Sequence, residues 1–151
     1  ADTDKVFNEF KRLYQIHCND KTGPYPGIIE LLRELKKHNI KMGIATNKVK
    51  SAADKLNEIY FEGLIDEVAG VEDGIIPKPD RCMIDNLMKR LNATTDETLY
   101  VGDSQVDVAT ARNTGLDMVA VLWGFRTRKE LEESGAMVFI DDPMEILDKV
   151  L

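Results

Sequence analysis

Short apolar runs and amphipathic stretches alternate along this chain. Apolar runs that end in polar residues predict strands; they lie at residues 40–47, 65–69, 98–101, 118–122 and 137–140. Between these runs, apolar residues recur at helical spacing, as at Leu31 and Leu35 or at Leu87 and Leu91. Strands that alternate with helices predict an α/β fold in which a parallel sheet carries helices on both faces.

Some boundaries of these elements can be read from the sequence. One face of a predicted first helix holds Val6, Phe7, Phe10, Leu13, Tyr14 and His17. Residues 19–24 then break the helical pattern and predict a linker. Leu56 and Ile59 are predicted to anchor a short helix, and Thr127 with Glu130 has the spacing of a capping box.

The first candidate site lies where the predicted strand at 98–101 meets a helix. The strand ends in Gly102, and Asp103 and Asp107 follow at the start of the helix. Ligands of open parallel sheets bind at the carboxyl ends of the strands, and paired carboxylates there suit a hard cation such as Mg²⁺. The alternative is that both acids complement the helix dipole and solvate a loop.

Two upstream positions supply different polar groups. The predicted strand at 40–47 ends in the hydroxyl of Thr46 and the amide of Asn47, although a lone threonine there is also consistent with a strand end that bonds locally. Lys78 stands between two prolines, just before Asp80, which is predicted to cap the next helix. Proline restricts both its own backbone and that of the preceding residue, so Lys78 is held on stiff chain. Together with the two acids, these groups suit a metal-bound phosphate.

These motifs resemble those of a known family. Thr46, Lys78 and the Gly102–Asp107 run resemble, in this order, the second, third and fourth motifs of haloacid dehalogenase-type phosphatases. Residues 25–32 resemble the family's entry into the core after its cap. Residues 120–125 resemble the segment after the last main strand of phosphoglycolate phosphatase-like members. The resemblance covers residues 24 to 147 and implies the Rossmann-like core of that family.

The family's first motif is not recognised in this chain. That motif is an apolar strand ending in Asp-x-Asp, whose first aspartate is the nucleophile. Asp2 and Asp4 have the spacing, but no apolar strand leads into them. We therefore expect a piece of a longer protein, with residues 1–23 as the remnant of a helical cap and its linker. Residues 24–151 form the core domain, truncated at its N-terminal strand.

The absence of this strand has a structural consequence. In the family it occupies the middle of the sheet, between the strands that end at Thr46 and Asp103. A missing central strand leaves two rows of backbone donors and acceptors without partners. The two neighbours are therefore expected to pair directly, to take up a strand from elsewhere, or to leave the chain poorly folded.

The resemblance implies a role for each matching residue. Thr46, with help from Asn47, binds phosphoryl oxygens, and Lys78 neutralises charge on the phosphoryl group. Asp103 binds Mg²⁺, while Asp107 either completes the cation site or orients Lys78. The implied reaction is Mg²⁺-dependent hydrolysis of a small phosphate monoester, similar to phosphoglycolate, through an aspartyl-phosphate. The chain by itself, without the nucleophile, is expected to be inactive.

Two other functional classes remain open. One is a relative with altered chemistry, either a dehalogenase or a phosphomutase. Because dehalogenases do not need the cation, the presence of both Asp103 and Asp107 counts against the first of these. The other is a non-catalytic module that binds phosphate or a partner.

The composition limits the classes of binding partner that we expect. The formal charge of −7 argues against nucleic acid and anionic membranes, both of which need a basic surface. A small phosphorylated metabolite is the expected partner, and no oligomeric state is predicted. Cys18 and Cys82 match no zinc or redox spacing and are interpreted as free thiols of a cytoplasmic protein, with Cys82 on a buried helix face.

Overall fold

The computed structural model describes residues 4–8, 14–16, 22–124 and 126–151. Its strands are β1 (Asp4–Asn8), β2 (Tyr14–Ile16), β3 (Thr22–Pro24), β4 (Met42–Val49), β5 (Glu67–Val71), β6 (Thr98–Gly102), β7 (Asp117–Val121) and β8 (Phe139–Ile140). Its helices are α1 (Ile28–Lys37), α2 (Lys50–Tyr60), α3 (Cys82–Leu91), α4 (Gln105–Thr114), α5 (Arg128–Ser134) and α6 (Glu145–Val150), with a 3₁₀ turn at Thr95–Glu97.

The larger sheet has six strands in the order β5-β4-β1-β6-β7-β8. Every neighbouring pair in it runs parallel. The strands β2 and β3 form a separate antiparallel pair. Because all strands of the large sheet point the same way, their carboxyl ends meet at one edge, where ligands bind in open α/β sheets.

The N-terminal segment differs from the prediction. We predicted a first helix that begins near Val6, and this is wrong for residues 4–8, which form β1. This strand pairs with β4 on one side and β6 on the other, so that Val6 lies between Gly43 and Tyr100. Of the three expected outcomes for the central position, the structure has the second, a strand supplied from elsewhere in the chain.

The pairing of β1 explains why the sheet stays continuous. Its backbone supplies donors and acceptors to both neighbours, whose inner edges are therefore satisfied. Of the other predicted first-helix residues, Tyr14 lies in β2, while Phe10, Leu13 and His17 lie outside the described residues. The assignment of residues 1–23 to a cap remnant stays a prediction.

Helices cover both faces of the sheet, as predicted. On β4, Ile44 packs with the apolar side chains of α1, α2 and α6, whereas the next residue, Ala45, packs with those of α3. On β6 the same alternation places Val101 on the first face and Tyr100 on the second. Successive strand residues point to opposite faces, so both faces of these central strands are buried.

Helix ends agree in part with the sequence. The capping box of Thr127 and Glu130 is confirmed at the start of α5. The prediction for Asp80 is partly correct, because its carboxylate accepts the backbone N–H of Cys82 at 2.8 Å while Arg81 occupies the N-cap position. The thiol of Cys82 is free and half-buried at this helix start, so its predicted burial is wrong; Cys18 lies outside the described residues.

One predicted anchor of α2 is wrong. Ile59 is 57% exposed, whereas Ala53 is fully buried and Leu56 and Tyr60 pack against the core. The buried stripe therefore follows the 53, 56, 60 spacing, and Ile59 falls outside it. Within the described part of the chain, no helix combines the length and apolar character needed to cross a bilayer.

Candidate active site

A single buried carboxylate organises the site. Asp107, on the first turn of α4, has no exposed surface. Its Oδ2 accepts the backbone N–H groups of Asp103 at 2.8 Å and Ser104 at 3.1 Å. Its Oδ1 accepts the hydroxyl of Tyr100 at 3.1 Å and lies 3.3 Å from Lys78 Nζ. Both oxygens are thus engaged with groups of the protein.

The local sequence explains the position of Asp107. Ser104 is the N-cap of α4, and its hydroxyl accepts the backbone N–H of Asp107 at 3.2 Å. The Asp107 carboxylate in turn accepts the backbone N–H of Ser104, which completes a reciprocal capping box. The helix start therefore fixes Asp107 directly after the carboxyl end of β6.

Lys78 reaches the same carboxylate from the loop before α3. Its side chain is fully buried, and Nζ donates to the backbone carbonyl of Ala45 at 3.2 Å as well as to Asp107. A buried ammonium needs such partners, because burial of an unpaired charge is costly. Lys78 is thereby placed beside the end of β4, next to Thr46.

The side chain of Asn47 holds the backbone of Lys78. Its Nδ2 donates to the backbone carbonyl of Lys78 at 3.0 Å, and its Oδ1 accepts the backbone N–H of Lys78 at 2.9 Å. Both ends of the amide therefore contact the Lys78 backbone. A part in substrate binding stays a prediction.

Thr46 is buried near the carboxyl end of β4, at 2% exposure. Its Oγ1 accepts the backbone N–H of Lys48 at 3.1 Å. A hydroxyl has one hydrogen to donate besides the lone pairs that accept. Thr46 therefore combines the local bond expected of a strand-end threonine with a hydroxyl hydrogen that suits a phosphoryl oxygen.

Asp103 lies at the tip of β6, with no exposed surface. Its carboxylate packs against the backbone of Gly124, which follows β7. A Cβ on residue 124 would lie 2.8 Å from Asp103 Cβ and would overlap Asp103 Oδ2. The absence of a side chain at Gly124 thus leaves room for the Asp103 carboxylate.

The donors at this edge suit part of a Mg²⁺ shell. Mg²⁺ is commonly held by one or two carboxylates, with water and substrate phosphate oxygens completing the octahedron. Asp103 offers one hard oxygen donor, whereas both Asp107 oxygens already accept hydrogen bonds. In the described ranges, no group of three or more His, Cys, Asp or Glu could hold a metal ion.

The structure brings the predicted residues together and adds others. Asp107 links Asp103 to Lys78, and Lys78 links them to the end of β4 beside Thr46. Sequence reasoning missed Tyr100 and the space provided by Gly124. A hydroxyl inside an apolar run was the available signal for Tyr100, since a buried tyrosine usually finds a hydrogen-bond partner.

Comparisons with known proteins identify the family of this chain. The profile of a family described as haloacid dehalogenase-like hydrolase matches residues 1–121. A phosphoglycolate phosphatase of Rhodospirillum rubrum is 36% identical over 121 residues, which cover 78% of this chain and 49% of that protein. One from Mesorhizobium japonicum is 31% identical over 146 residues, with 93% and 63% covered. The chain thus spans about half to two thirds of the length of these relatives.

A solved structure has the same architecture. A candidate phosphoglycolate phosphatase from Lactobacillus delbrueckii subsp. bulgaricus superposes with a TM-score of 0.85 at 38% identity, covering 89% of this chain and 56% of that one. The chain belongs to the haloacid dehalogenase-like hydrolase family.

Proposed function

We propose that the whole protein hydrolyses a small phosphate monoester, similar to phosphoglycolate, in a Mg²⁺-dependent reaction. The observation that carries this proposal is the buried contact of Lys78 Nζ with Asp107, whose other oxygen holds the backbone of Asp103. This contact brings the Lys78 ammonium and the Asp103 backbone to the same edge of the sheet, which supports the proposal. Relatives named phosphoglycolate phosphatase support the substrate class.

Each residue has a distinct part in this proposal. Thr46 donates its hydroxyl hydrogen to a phosphoryl oxygen, and Lys78 neutralises charge that builds up on the phosphoryl group. Asp103 holds Mg²⁺, which supplies further charge neutralisation when bound. Asp107 orients Lys78 and fixes the loop that carries Asp103. Phosphoryl transfer depends chiefly on such positioning and electrostatic stabilisation.

The nucleophile is assigned by the family resemblance alone. An aspartate of the first motif attacks phosphorus and displaces the alcohol, and water then hydrolyses the aspartyl-phosphate. Neither Asp103 nor Asp107 is given this role, since the first is proposed to hold the metal and the second is enclosed by donors. We therefore expect this chain by itself to bind phosphate weakly and to show no turnover. The proposed substrate is a small phosphorylated metabolite of the cytoplasm.

The experiment is a comparison of phosphate release by the whole protein and its variants. Wild type is assayed on a panel of small phosphate monoesters with Mg²⁺ and with excess chelator. We expect Asp103→Asn and Lys78→Ala each to lower kcat/KM by about 100-fold or more, as loss of electrostatic stabilisation does elsewhere. Glu58→Ala, an exposed change on α2, is the control that retains wild-type rates.

Two results would contradict the proposal. Equal turnover of the panel in excess chelator would contradict the assignment of Mg²⁺. Wild-type turnover by both Asp103→Asn and Lys78→Ala would contradict the assignment of these residues to the active site. Circular dichroism of each variant separates the expected loss of activity from loss of the fold.

A further inference from the structure

Two asparagine side chains bind the backbone of the Lys78 loop from different elements. Asn47, at the end of β4, both donates to the carbonyl and accepts from the N–H of Lys78, at 3.0 and 2.9 Å. Asn113, near the end of α4, donates from Nδ2 to the carbonyl of Pro79 at 2.8 Å. The peptide units around Lys78 are therefore held on both sides.

The elements that supply these amides also carry the groups around Lys78 Nζ. β4 contains Ala45, whose carbonyl accepts from Nζ, and α4 contains Asp107, which pairs with Nζ. Each element thus contacts Lys78 or its neighbour twice, once at the backbone and once at the end of the side chain. A lysine with four rotatable side-chain bonds is fixed only if both ends are held.

The exposure of the two asparagines excludes a packing role. Both residues are exposed, whereas the Lys78 side chain they support is fully buried. Exposed amides contribute little to core packing. Their contacts with the loop are consequently the main feature that their replacement would remove.

We infer that Asn47 and Asn113 are positioning residues that act together to hold Lys78 Nζ against Asp107, and that Asn47 acts on substrate through Lys78. This inference rests on the proposed phosphatase function. Its physical basis is that small displacements of a charged group lose much of its transition-state stabilisation, with about 100-fold loss for about 1 Å.

The test uses isosteric changes in the whole protein. Asn113→Asp keeps the shape of the side chain but cannot donate to the Pro79 carbonyl. Asn47→Asp keeps an acceptor for the Lys78 N–H but loses the donor to the Lys78 carbonyl, and Asn47→Ala loses both. Glu58→Ala is the control. Each variant is assayed for kcat and KM at saturating Mg²⁺, and the Lys78 side-chain Cε–H signals are followed by NMR without substrate.

A positioning role predicts a characteristic set of results. We expect kcat to fall by about tenfold in Asn113→Asp and by more in Asn47→Ala, with Asn47→Asp between Asn47→Ala and wild type. KM should stay within about twofold, since an interaction made only in the transition state affects kcat. The Lys78 Cε–H signals should shift in all three Asn47 and Asn113 variants, even in the absence of substrate.

The opposing results are equally specific. An increase of KM in Asn47→Ala with unchanged Lys78 signals would make Asn47 a substrate ligand and overturn the inference. Unchanged kcat and Lys78 signals in both Asn47→Ala and Asn113→Asp would also overturn it. If wild type hydrolyses no phosphate ester, the proposed function fails, yet the Lys78 signals still decide whether the two amides position that side chain.

Discussion

The carboxylate of Asp107 accepts the backbone N–H of Asp103 at 2.8 Å, so the second acid of the pair holds the first in place. The sequence left two roles for Asp107, a cation ligand or a partner of Lys78. Its contacts agree with the second role, because donors from Ser104, Tyr100 and Lys78 occupy the rest of the carboxylate. The two acids, one before the N-cap of α4 and the other on its first turn, thereby have different environments and different proposed functions.

Replacement of Asp107 by asparagine should destabilise the protein strongly. An amide has one acceptor oxygen, so in either orientation its NH₂ group faces donors that the carboxylate now accepts. It also removes the negative charge that pairs with the buried Lys78 ammonium at this carboxylate. We expect a loss of about 3 to 5 kcal/mol in the free energy of unfolding, measured by urea denaturation. Asp96→Asn, at an exposed position, is the control, and a loss below about 1 kcal/mol would contradict the assigned network.

The hydroxyl of Tyr100 should stabilise the fold through its bond to the same carboxylate. Tyr100→Phe keeps the buried ring and removes the hydroxyl that donates to Asp107 Oδ1 at 3.1 Å. We expect a loss of about 1 to 2 kcal/mol in stability, the usual effect of losing one hydrogen bond to a charged group. In a double-mutant cycle with Asp107→Ala, which removes the acceptor of this bond, the two losses should not add. Additive losses would show that Tyr100 acts independently of Asp107.

A methyl group at residue 124 should disturb the proposed metal site. Gly124→Ala places a Cβ in contact with the Asp103 side chain, which must then move. We expect Mg²⁺ affinity in the whole protein, measured by calorimetry, to fall by about tenfold or more, since Mg²⁺ demands near-ideal geometry. Gly115→Ala is the contrasting control, because no atom lies within 4 Å of its added Cβ. That variant should lose about 1 kcal/mol of stability through its positive φ and retain metal affinity. Equal Mg²⁺ binding by Gly124→Ala and wild type would contradict this account.

The Glu130 carboxyl group in the cap of α5 should titrate with a lowered pKa. The backbone N–H of Thr127 and, to a lesser extent, its hydroxyl bond the Glu130 carboxylate and lower its pKa below the ordinary value. A carboxyl with a lowered pKa stabilises the fold at pH values above its unfolded pKa, and this contribution disappears as the pH falls through the folded pKa. NMR titration of Glu130 Cδ should therefore give a low midpoint, and Thr127→Ala should raise it only in part, because the backbone N–H remains. Lys149→Ala, on α6, should leave the midpoint in place. A midpoint at the ordinary glutamate value in wild type would contradict the cap.

Most elements that follow residue 24 were predictable because their signals are local. The apolar stripe of Leu31 and Leu35 and the capping box of Thr127 with Glu130 depend on neighbours within a few residues, and each appears where predicted. The N-terminal segment was not predictable in the same way. Residues 4–8 form a strand through pairing with β4 and β6, partners far away in the chain. Ile59 shows the same limit on a smaller scale, because a shift of a single residue on α2 separates the Tyr60 side, which packs against the core, from the exposed side.

The sequence by itself determined the parallel α/β architecture and the edge of the sheet at which Thr46, Lys78, Asp103 and Asp107 lie, because periodicity and strand-end chemistry are written into short segments. Only the tertiary structure decided which polar groups satisfy one another. It turned both Asp107 oxygens toward donors of the protein, placed the Asn47 amide on the Lys78 backbone and set Gly124 against Asp103. The physical reason is that hydrogen bonding is decided by distances of a few tenths of an ångström between segments far apart in the chain. Residue type and spacing alone do not fix those distances.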